Sequence, residues 1–387
     1  MKLLKLNAWL VCLAFVMILA SCQNQSEKIA PNTTNDRAIN KDEIALQVID
    51  LLKQSASRGE VISSLKAQMP SVALATILDK VNGQGIENTA TQNLRRIVQK
   101  SEATYKNLEA PENVEIPELW LHQPQANLDF SKLLVAYAPD GKDEANWKKV
   151  KAYTLDKKVV YLDPFKAPNV PVVVVETDGF EALKVEAELM NRELRKAGAQ
   201  ALVNRKVDGQ MKRTAGGIET TKLDRIRLNN DEEPWISGAA EIYAITSGVR
   251  GSNNEAQINV IPMYYLDYAG TTYYPNQILL FWDDYSYQAA NIQLFEKDDN
   301  YNYKQMVGII VDGVFQITGT LSGQPIVNVL GQIANAVIQA MPDQWFTNDD
   351  DYVDSYYTIE KNRTYRNHSG AGGNANVDLT PYFLLAN

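Results

Sequence analysis

Residues 267–306 read DYAGTTYYPNQILLFWDDYSYQAANIQLFEKDDNYNYKQM, and the predicted fold of the C-terminal third follows from this segment. It holds two apolar runs of strand length, at residues 277–282 and 289–295, and in the second run apolar residues alternate with polar ones. Alternation with a period of two is typical of a β-strand that buries one face. The segment therefore predicts two strands that are flanked by acidic, tyrosine-rich loops.

Oxygen-bearing side chains lie beside three of the predicted strand ends. Asp283 and Asp284 follow the first run, a second acidic group follows residue 295, and a third precedes a strand predicted at residues 356–360. If the three ends meet in space, they form a cation site built from oxygen ligands, the kind that calcium prefers. The candidate calcium ligands are Asp298, Asp299, Asn300, Asp349, Asp350, Asp351 and Asp354.

The acidic loops also have an explanation without a metal. Aspartate and asparagine favour turns because their side chains accept hydrogen bonds from nearby backbone amides. The segment after residue 298 does not fit an EF-hand, because Lys304 and Ile309 stand where later ligands belong and the sixth position lacks glycine. Calcium binding is therefore a hypothesis that competes with plain turn formation.

The region around these loops predicts a β-sandwich over residues 236–387. Short strands with turn residues between them are typical of that architecture. One helix, predicted at residues 325–341, interrupts the strands and carries no charge, and we expect its apolar face to pack against the sandwich. Further strands of the sandwich are predicted at residues 240–249, 256–263 and 376–385.

Towards the N-terminus the pattern changes twice. Residues 42–110 carry apolar side chains at helical spacing and predict a set of helices. Residues 111–235 predict a small α+β unit, which includes an amphipathic helix at residues 180–196. The predicted fold class is therefore multidomain α+β: N-terminal helices, a small α+β unit and a C-terminal β-sandwich with an inserted helix. The strands predicted in the α+β unit are residues 133–137, 149–154, 159–163 and 170–176.

The start of the chain predicts export. A short positive segment precedes an apolar run at residues 8–20, which is followed by Ser21 and Cys22. Residues 1–21 look like a bacterial lipoprotein signal, and this likeness implies that Cys22 carries a diacylglyceryl group and an acyl chain such as palmitate. The following Gln23 implies the outer membrane of a two-membrane bacterium, and the polar residues 22–41 predict a tether. A membrane-spanning anchor is the alternative, but the run is short for a hydrocarbon core about 30 Å thick.

Charge, cysteine count and histidine count disfavour several classes of protein. The chain has a net charge of −9, and residues 236–387 hold 16 Asp and Glu against 6 Lys and Arg. A surface of that sign repels phosphate backbones, so nucleic acid is a poor partner. The two cysteines are Cys12, inside the signal, and Cys22, so we expect no disulfide. The two histidines, His122 and His368, lie far apart in the sequence, so a conventional zinc site is not expected.

Two classes of function remain. The first is an envelope-bound binding module for a glycan or a protein, which would use aromatic side chains near the acidic loops. The second is a hydrolase that acts through carboxylates or through serine with lysine, and glycoside hydrolysis needs two carboxyl groups about 5–10 Å apart. The chain has neither a GxSxG nor an HExxH motif. The candidate binding aromatics are Trp282, Tyr285, Tyr287 and Trp345, which otherwise serve as core or cross-strand side chains.

Four segments of the chain carry a resemblance to a known family. They are APNVPVVVVE at residues 167–176, YYPNQILLFW at 273–282, NIQLFEKDDNYNYKQ at 291–305 and WFTNDDDYVDSYYTIEK at 345–361. These segments resemble an uncharacterised family of bacterial secreted proteins, the domain-of-unknown-function family three-one-zero-three. The resemblance covers most of the chain after the signal and implies no activity. Strands that enter Asp-rich loops also look loosely like C2-type calcium-binding sandwiches, although the predicted helix at residues 325–341 departs from that pattern.

Overall fold

The computed structural model describes most of the chain from Ile39 onward. The described ranges are residues 39–67, 71–107, 114–124, 129–139, 146–200, 217–230, 234–238, 240–251, 255–266, 269–297, 303–318, 325–340 and 352–385. The predicted signal, the lipidation residue Cys22 and the tether up to residue 38 lie outside these ranges. Residues Ile39–Asn387 form one compact unit, and the hydrophobic core clusters are built from residues of this unit.

Four helices form the N-terminal part of the described chain, as the helical spacing predicts. The side chain of Asn40 caps the first helix by accepting a hydrogen bond from the backbone N of Glu43. The fourth helix begins with a capping box between Asn88 and Thr91. Their apolar faces share one buried core. These helices are α1 (Lys41–Lys53), α2 (Ser55–Ala67), α3 (Leu74–Gly83) and α4 (Thr89–Lys106).

A six-stranded first sheet lies against these helices. Its strand order is β1-β2-β6-β3-β4-β5, and β3 runs parallel to β6. Val173 and Val175 of β6 join the helical core, whereas Val172 and Val174 face the other side, which explains why four consecutive valines are buried. The strands are β1 (Val72–Ala73), β2 (Glu118–His122), β3 (Leu134–Tyr137), β4 (Val150–Thr154), β5 (Val159–Leu162) and β6 (Val172–Glu176).

Two further sheets form the predicted C-terminal sandwich. The second sheet has the order β10-β7-β15-β14 with β11 also paired to β7, and the third sheet has the order β13-β12-β8-β9. A core of side chains from both sheets fills the space between them. The strands are β7 (Gly217–Leu228), β8 (Ile242–Arg250), β9 (Glu255–Pro262), β10 (Thr272–Tyr273), β11 (Gln277–Phe281), β12 (Ala289–Glu296), β13 (Tyr352–Glu360), β14 (Tyr365–Ser369) and β15 (Ala375–Leu385).

Three helices cover the outer face of the third sheet. The predicted helices are present as α5 (Phe180–Lys196) and α7 (Ile326–Gln339), and between them in the chain lies α6 (Tyr303–Thr318), which the sequence pattern did not predict. Apolar residues of these helices share a core with β8, β9 and β12. The α+β fold class with an inserted helix is thereby confirmed, and the predicted domain boundaries stay predictions. Among the described helices, none is both long enough and apolar enough to cross a membrane.

Candidate functional site

Six of the seven candidate calcium ligands lie outside the described residues. They are Asp298, Asp299, Asn300, Asp349, Asp350 and Asp351. The described strands on either side of them are neighbours, because Phe295 near the end of β12 is paired with Tyr352 at the start of β13. The chain therefore leaves β12 and enters β13 at the same end of the third sheet. Within the described ranges, no three His, Cys, Asp or Glu side chains are grouped as a metal site requires.

The acidic pair Asp283 and Asp284 lies at the other end of β12. These residues form a short 3-10 turn just before that strand, and Ser286 donates a backbone hydrogen bond to Val249 at the end of β8. The eight residues of β12 separate the two ends by about 25 Å at 3.3 Å per residue. Asp283 and Asp284 therefore lie at the opposite end of β12 from Glu296. The meeting of the three acidic segments stays a prediction, because most residues of the other two lie outside the described ranges.

Asp354, the one candidate ligand within the described residues, is fully buried and bonded to the backbone. Its Oδ1 accepts from the backbone N of Ser355 at 2.8 Å and of Gly372 at 2.7 Å, and its Oδ2 accepts from the backbone N of Ala375 at 2.7 Å. An added Cβ at Gly370 would overlap this carboxylate. Asp354 therefore organises the turn between β14 and β15, and its role as a metal ligand stays a prediction.

The candidate binding aromatics divide between core and surface. Trp282 and Tyr285 are buried in the sandwich core, where the indole N–H of Trp282 donates to Thr221 Oγ1 at 3.0 Å. The Tyr287 side chain is exposed, and Trp345 lies outside the described residues. For Trp282 and Tyr285 the core interpretation is thus the correct one.

A buried ion cluster, which consists of Lys297, Asp178 and Glu186, lies directly after β12. The ammonium of Lys297 donates to the backbone O of Asp178 at 2.6 Å, contacts the Asp178 carboxylate, and lies 3.6 Å from Glu186 Oε2. Glu186 Oε1 accepts from the backbone N of Val114 at 3.1 Å. The lysine and glutamate side chains are each 1% exposed. The cluster therefore ties the end of β12 to α5 and to the segment before β2.

A second buried carboxylate, Glu118, lies at the N-terminus of α5. It stands opposite Glu176 in the pairing of β2 with β6. Its Oε1 accepts from the backbone N of Glu181 at 2.7 Å, and its Oε2 accepts from the Ser71 hydroxyl. Burial, together with the neighbouring carboxylates of Glu176 and Glu181, raises the pKa of Glu118 to about 7, although the two hydrogen bonds lower it. A carboxyl group with such a pKa can donate or accept a proton near neutral pH.

The unmodified protein should lose folding stability as the pH rises from 5 to 8, and replacing Glu118 with glutamine should reduce this loss. The native pKa of about 7 lies above the ordinary glutamate pKa of 4.5, so folding favours the protonated acid. The stability that this gives is full below pH 4.5 and is lost as the pH rises through 7. Without ionising, glutamine can accept from the backbone N of Glu181 through its Oε1 and donate to Ser71 Oγ through its Nε2. The free energy of unfolding of the variant, relative to that of the unmodified protein, should rise by about 2–3 kcal/mol from pH 5 to pH 8, as measured by urea unfolding. An unchanged pH slope would contradict the assignment, and Glu60→Gln, at a helical position with no ion pair among the described residues, is the control.

An open cleft of about 310 Å³, called the α4–α5 cleft below, lies beside this buried acid. Its apolar wall is formed by Ala73, Ala75, Val98, Ile116, Pro117 and Val185. Its polar residues are Ser101, Glu102, Tyr105, Glu181, Lys184 and Glu188. The backbone of Glu181 links the cleft to Glu118. Sequence reasoning missed this site, because its residues come from four separate parts of the chain and no local motif marks them.

A family model places the chain among other proteins. The model described as Protein of unknown function (DUF3103) matches residues 41–387. This match confirms the resemblance seen in the sequence and spans all of the described helices and sheets. No match was found among the curated proteins, and none among the solved structures.

Proposed function

Since the chain belongs to the family Protein of unknown function (DUF3103), we propose from its own residues that it is a lipid-anchored binding protein of the cell envelope. The signal-like residues 1–21, Cys22 and the following Gln23 support an anchor in the outer membrane of a two-membrane bacterium. The protein expressed in such a host should carry fatty acid label and sediment with membranes. A Cys22→Ser variant that keeps both properties would contradict the anchor.

The α4–α5 cleft supports the binding function because it is accessible to a ligand, whereas the buried carboxylates are not. The α4–α5 cleft holds about 310 Å³, near the lower end of the roughly 300–1,000 Å³ typical of ligand sites. The buried carboxylates of Glu118 and Asp354 already accept backbone hydrogen bonds. The α4–α5 cleft is therefore the surface that a ligand or a partner protein can reach. A glycan or a protein fits the negative net charge of −9 better than nucleic acid does.

We propose a calcium ion as a second ligand. Its site would lie at the end of the third sheet where β12 ends and β13 begins. The pairing of Phe295 with Tyr352 favours this site, because Asp298 and Asp351 are close in sequence to those two strand ends. Calcium at a hundredfold excess over its Kd should stabilise the fold by about 2.7 kcal/mol and raise the Tm. Asp350→Asn should abolish the rise, whereas Asp283→Asn, at the opposite end of β12, should keep it. An unchanged Tm at millimolar calcium would contradict the site.

A hydrolase is the alternative, and Glu118 is the observation that favours it. Its pKa of about 7 suits an acid or base catalyst, and the Ser71 hydroxyl donates to it. Its lack of exposed surface favours the binding function instead. A panel of envelope glycans and peptides separates the two. Product release that is lost in Glu118→Gln supports the hydrolase, and ligand binding without product supports the binding protein.

A further inference from the structure

We infer that the α4–α5 cleft binds an amphipathic cation, in which an ammonium or guanidinium group is joined to a short apolar chain. This inference rests on the binding function proposed above and names its ligand class. The apolar wall provides one half of the recognition. Ala73, Val98 and Ile116 line it, and burying a short alkyl chain there is favourable because it removes apolar surface from water.

The charges around the cleft provide the other half. Three carboxylates, Glu102, Glu181 and Glu188, line it together with Lys184. The lysine lies 3.8 Å from Glu181 and the Glu102 carboxylate accepts from Lys106 at 2.6 Å, so these charges already have partners. Glu188 is exposed and makes no ion pair among the described residues. Its carboxylate is therefore the group that a ligand cation would meet.

The glutamates contribute to the raised pKa of two nearby tyrosines, although burial is the larger cause in both. Burial raises the pKa of Tyr264 to about 12, and the charges of Glu181 and Glu188 raise it as well. Burial also raises the pKa of Tyr105, which lines the cleft, and Glu102 adds to that effect. Because burial disfavours a charge of either sign, the part of these pKa rises that points to a negative potential is the smaller contribution of the glutamates.

An anionic ligand fits the cleft poorly, although a helix N-terminus lies beside it. Such a terminus ordinarily attracts anions through its free N–H groups. Here the backbone N of Glu181 already donates to Glu118 Oε1 at 2.7 Å, so a carboxylate of the protein occupies that position. A second anion would also meet Glu181 and Glu188. The arrangement therefore selects for a cation.

The test compares three ligands that differ only in the charge of the head group. Hexylammonium, hexanol and hexanoate are titrated into the unit formed by residues 39–387, and affinity is measured by NMR chemical-shift changes. Hexylammonium should bind at least tenfold more tightly than hexanol, which corresponds to about 1.4 kcal/mol for one charge-assisted contact. Hexanoate should bind most weakly. Equal or tighter binding of hexanol or hexanoate overturns the inference.

Variants locate the binding and separate its two halves. Glu188→Gln should weaken the binding of hexylammonium five- to tenfold and leave the affinity for hexanol unchanged. The control Glu60→Gln should change neither affinity. Ala75→Leu, which fills part of the wall, should weaken both compounds alike. If hexylammonium does not bind but Ala75→Leu weakens the binding of hexanol or hexanoate, the inference is overturned. The cleft then binds another class of ligand, and the proposed binding function stands. If none of the three compounds binds, the proposed binding function loses the cleft as its support.

Discussion

Replacing Lys297 with methionine should lower the free energy of unfolding by about 3–5 kcal/mol, because it leaves a buried carboxylate pair without its cation. The Lys297 side chain is 1% exposed, and its ammonium contacts both Asp178, which is 14% exposed, and Glu186, which is 1% exposed. Methionine preserves much of the side-chain volume, so the loss reports charge rather than a cavity. Urea unfolding at neutral pH measures the difference.

Two further variants distinguish the loss of the ion cluster from the general effect of replacing a lysine. Lys100→Met, at an exposed position on α4 with no ion pair among the described residues, should change stability by less than about 0.5 kcal/mol. Combining Lys297→Met with Asp178→Asn and Glu186→Gln should recover a large part of the loss, because no buried charge is then left unpaired. A single Lys297→Met variant as stable as the unmodified protein would show that the carboxylates do not need this cation.

Lys297 also shows what the sequence could not reveal about the site. It stands between Glu296 and Asp298 in a segment that reads as an acidic surface loop. Its burial depends on α5 lying across the end of β12, which is a contact between distant parts of the chain. The helix itself was predictable from its apolar stripe and is present over the predicted residues, Phe180–Lys196. Local periodicity thus predicted the element, but the contacts that make the ion cluster are tertiary.

The positions of β11 and β12 bear on the acidic-loop prediction. The sequence predicted strands close to β11 and β12, and Asp283 and Asp284 lie at the start of β12, whereas Asp298 and Asp299 follow its end in the sequence. Helix α6 was missed because of its composition. It contains Gly308 and Gly313 and several β-branched residues, which have low helix propensity. Tertiary packing overrides that propensity, because Met306 and Ile310 are buried with α5 and α7, and an added Cβ at Gly313 would lie 3.2 Å from Ala336 Cβ.

Replacing Asp354 with alanine should lower the free energy of unfolding by about 4 kcal/mol, a larger effect than its loss as a surface acid would give. Three backbone N–H groups, those of Ser355, Gly372 and Ala375, lose their acceptor, and a buried donor without a partner costs about 1–3 kcal/mol. Hydrogen exchange of the Gly372 and Ala375 amides should accelerate. Asp283→Ala, at an exposed acidic residue, should stay within about 0.5 kcal/mol.

The same variant distinguishes a structural role of Asp354 from a role as a calcium ligand. Because its oxygens face the backbone of the turn before β15, the destabilisation should appear in full in the presence of a calcium chelator. Gly370→Ala should reproduce it, since the added Cβ would overlap the carboxylate without removing any charge. If Asp354→Ala is harmless in chelator and destabilising only with calcium present, the carboxylate serves the ion and not the turn.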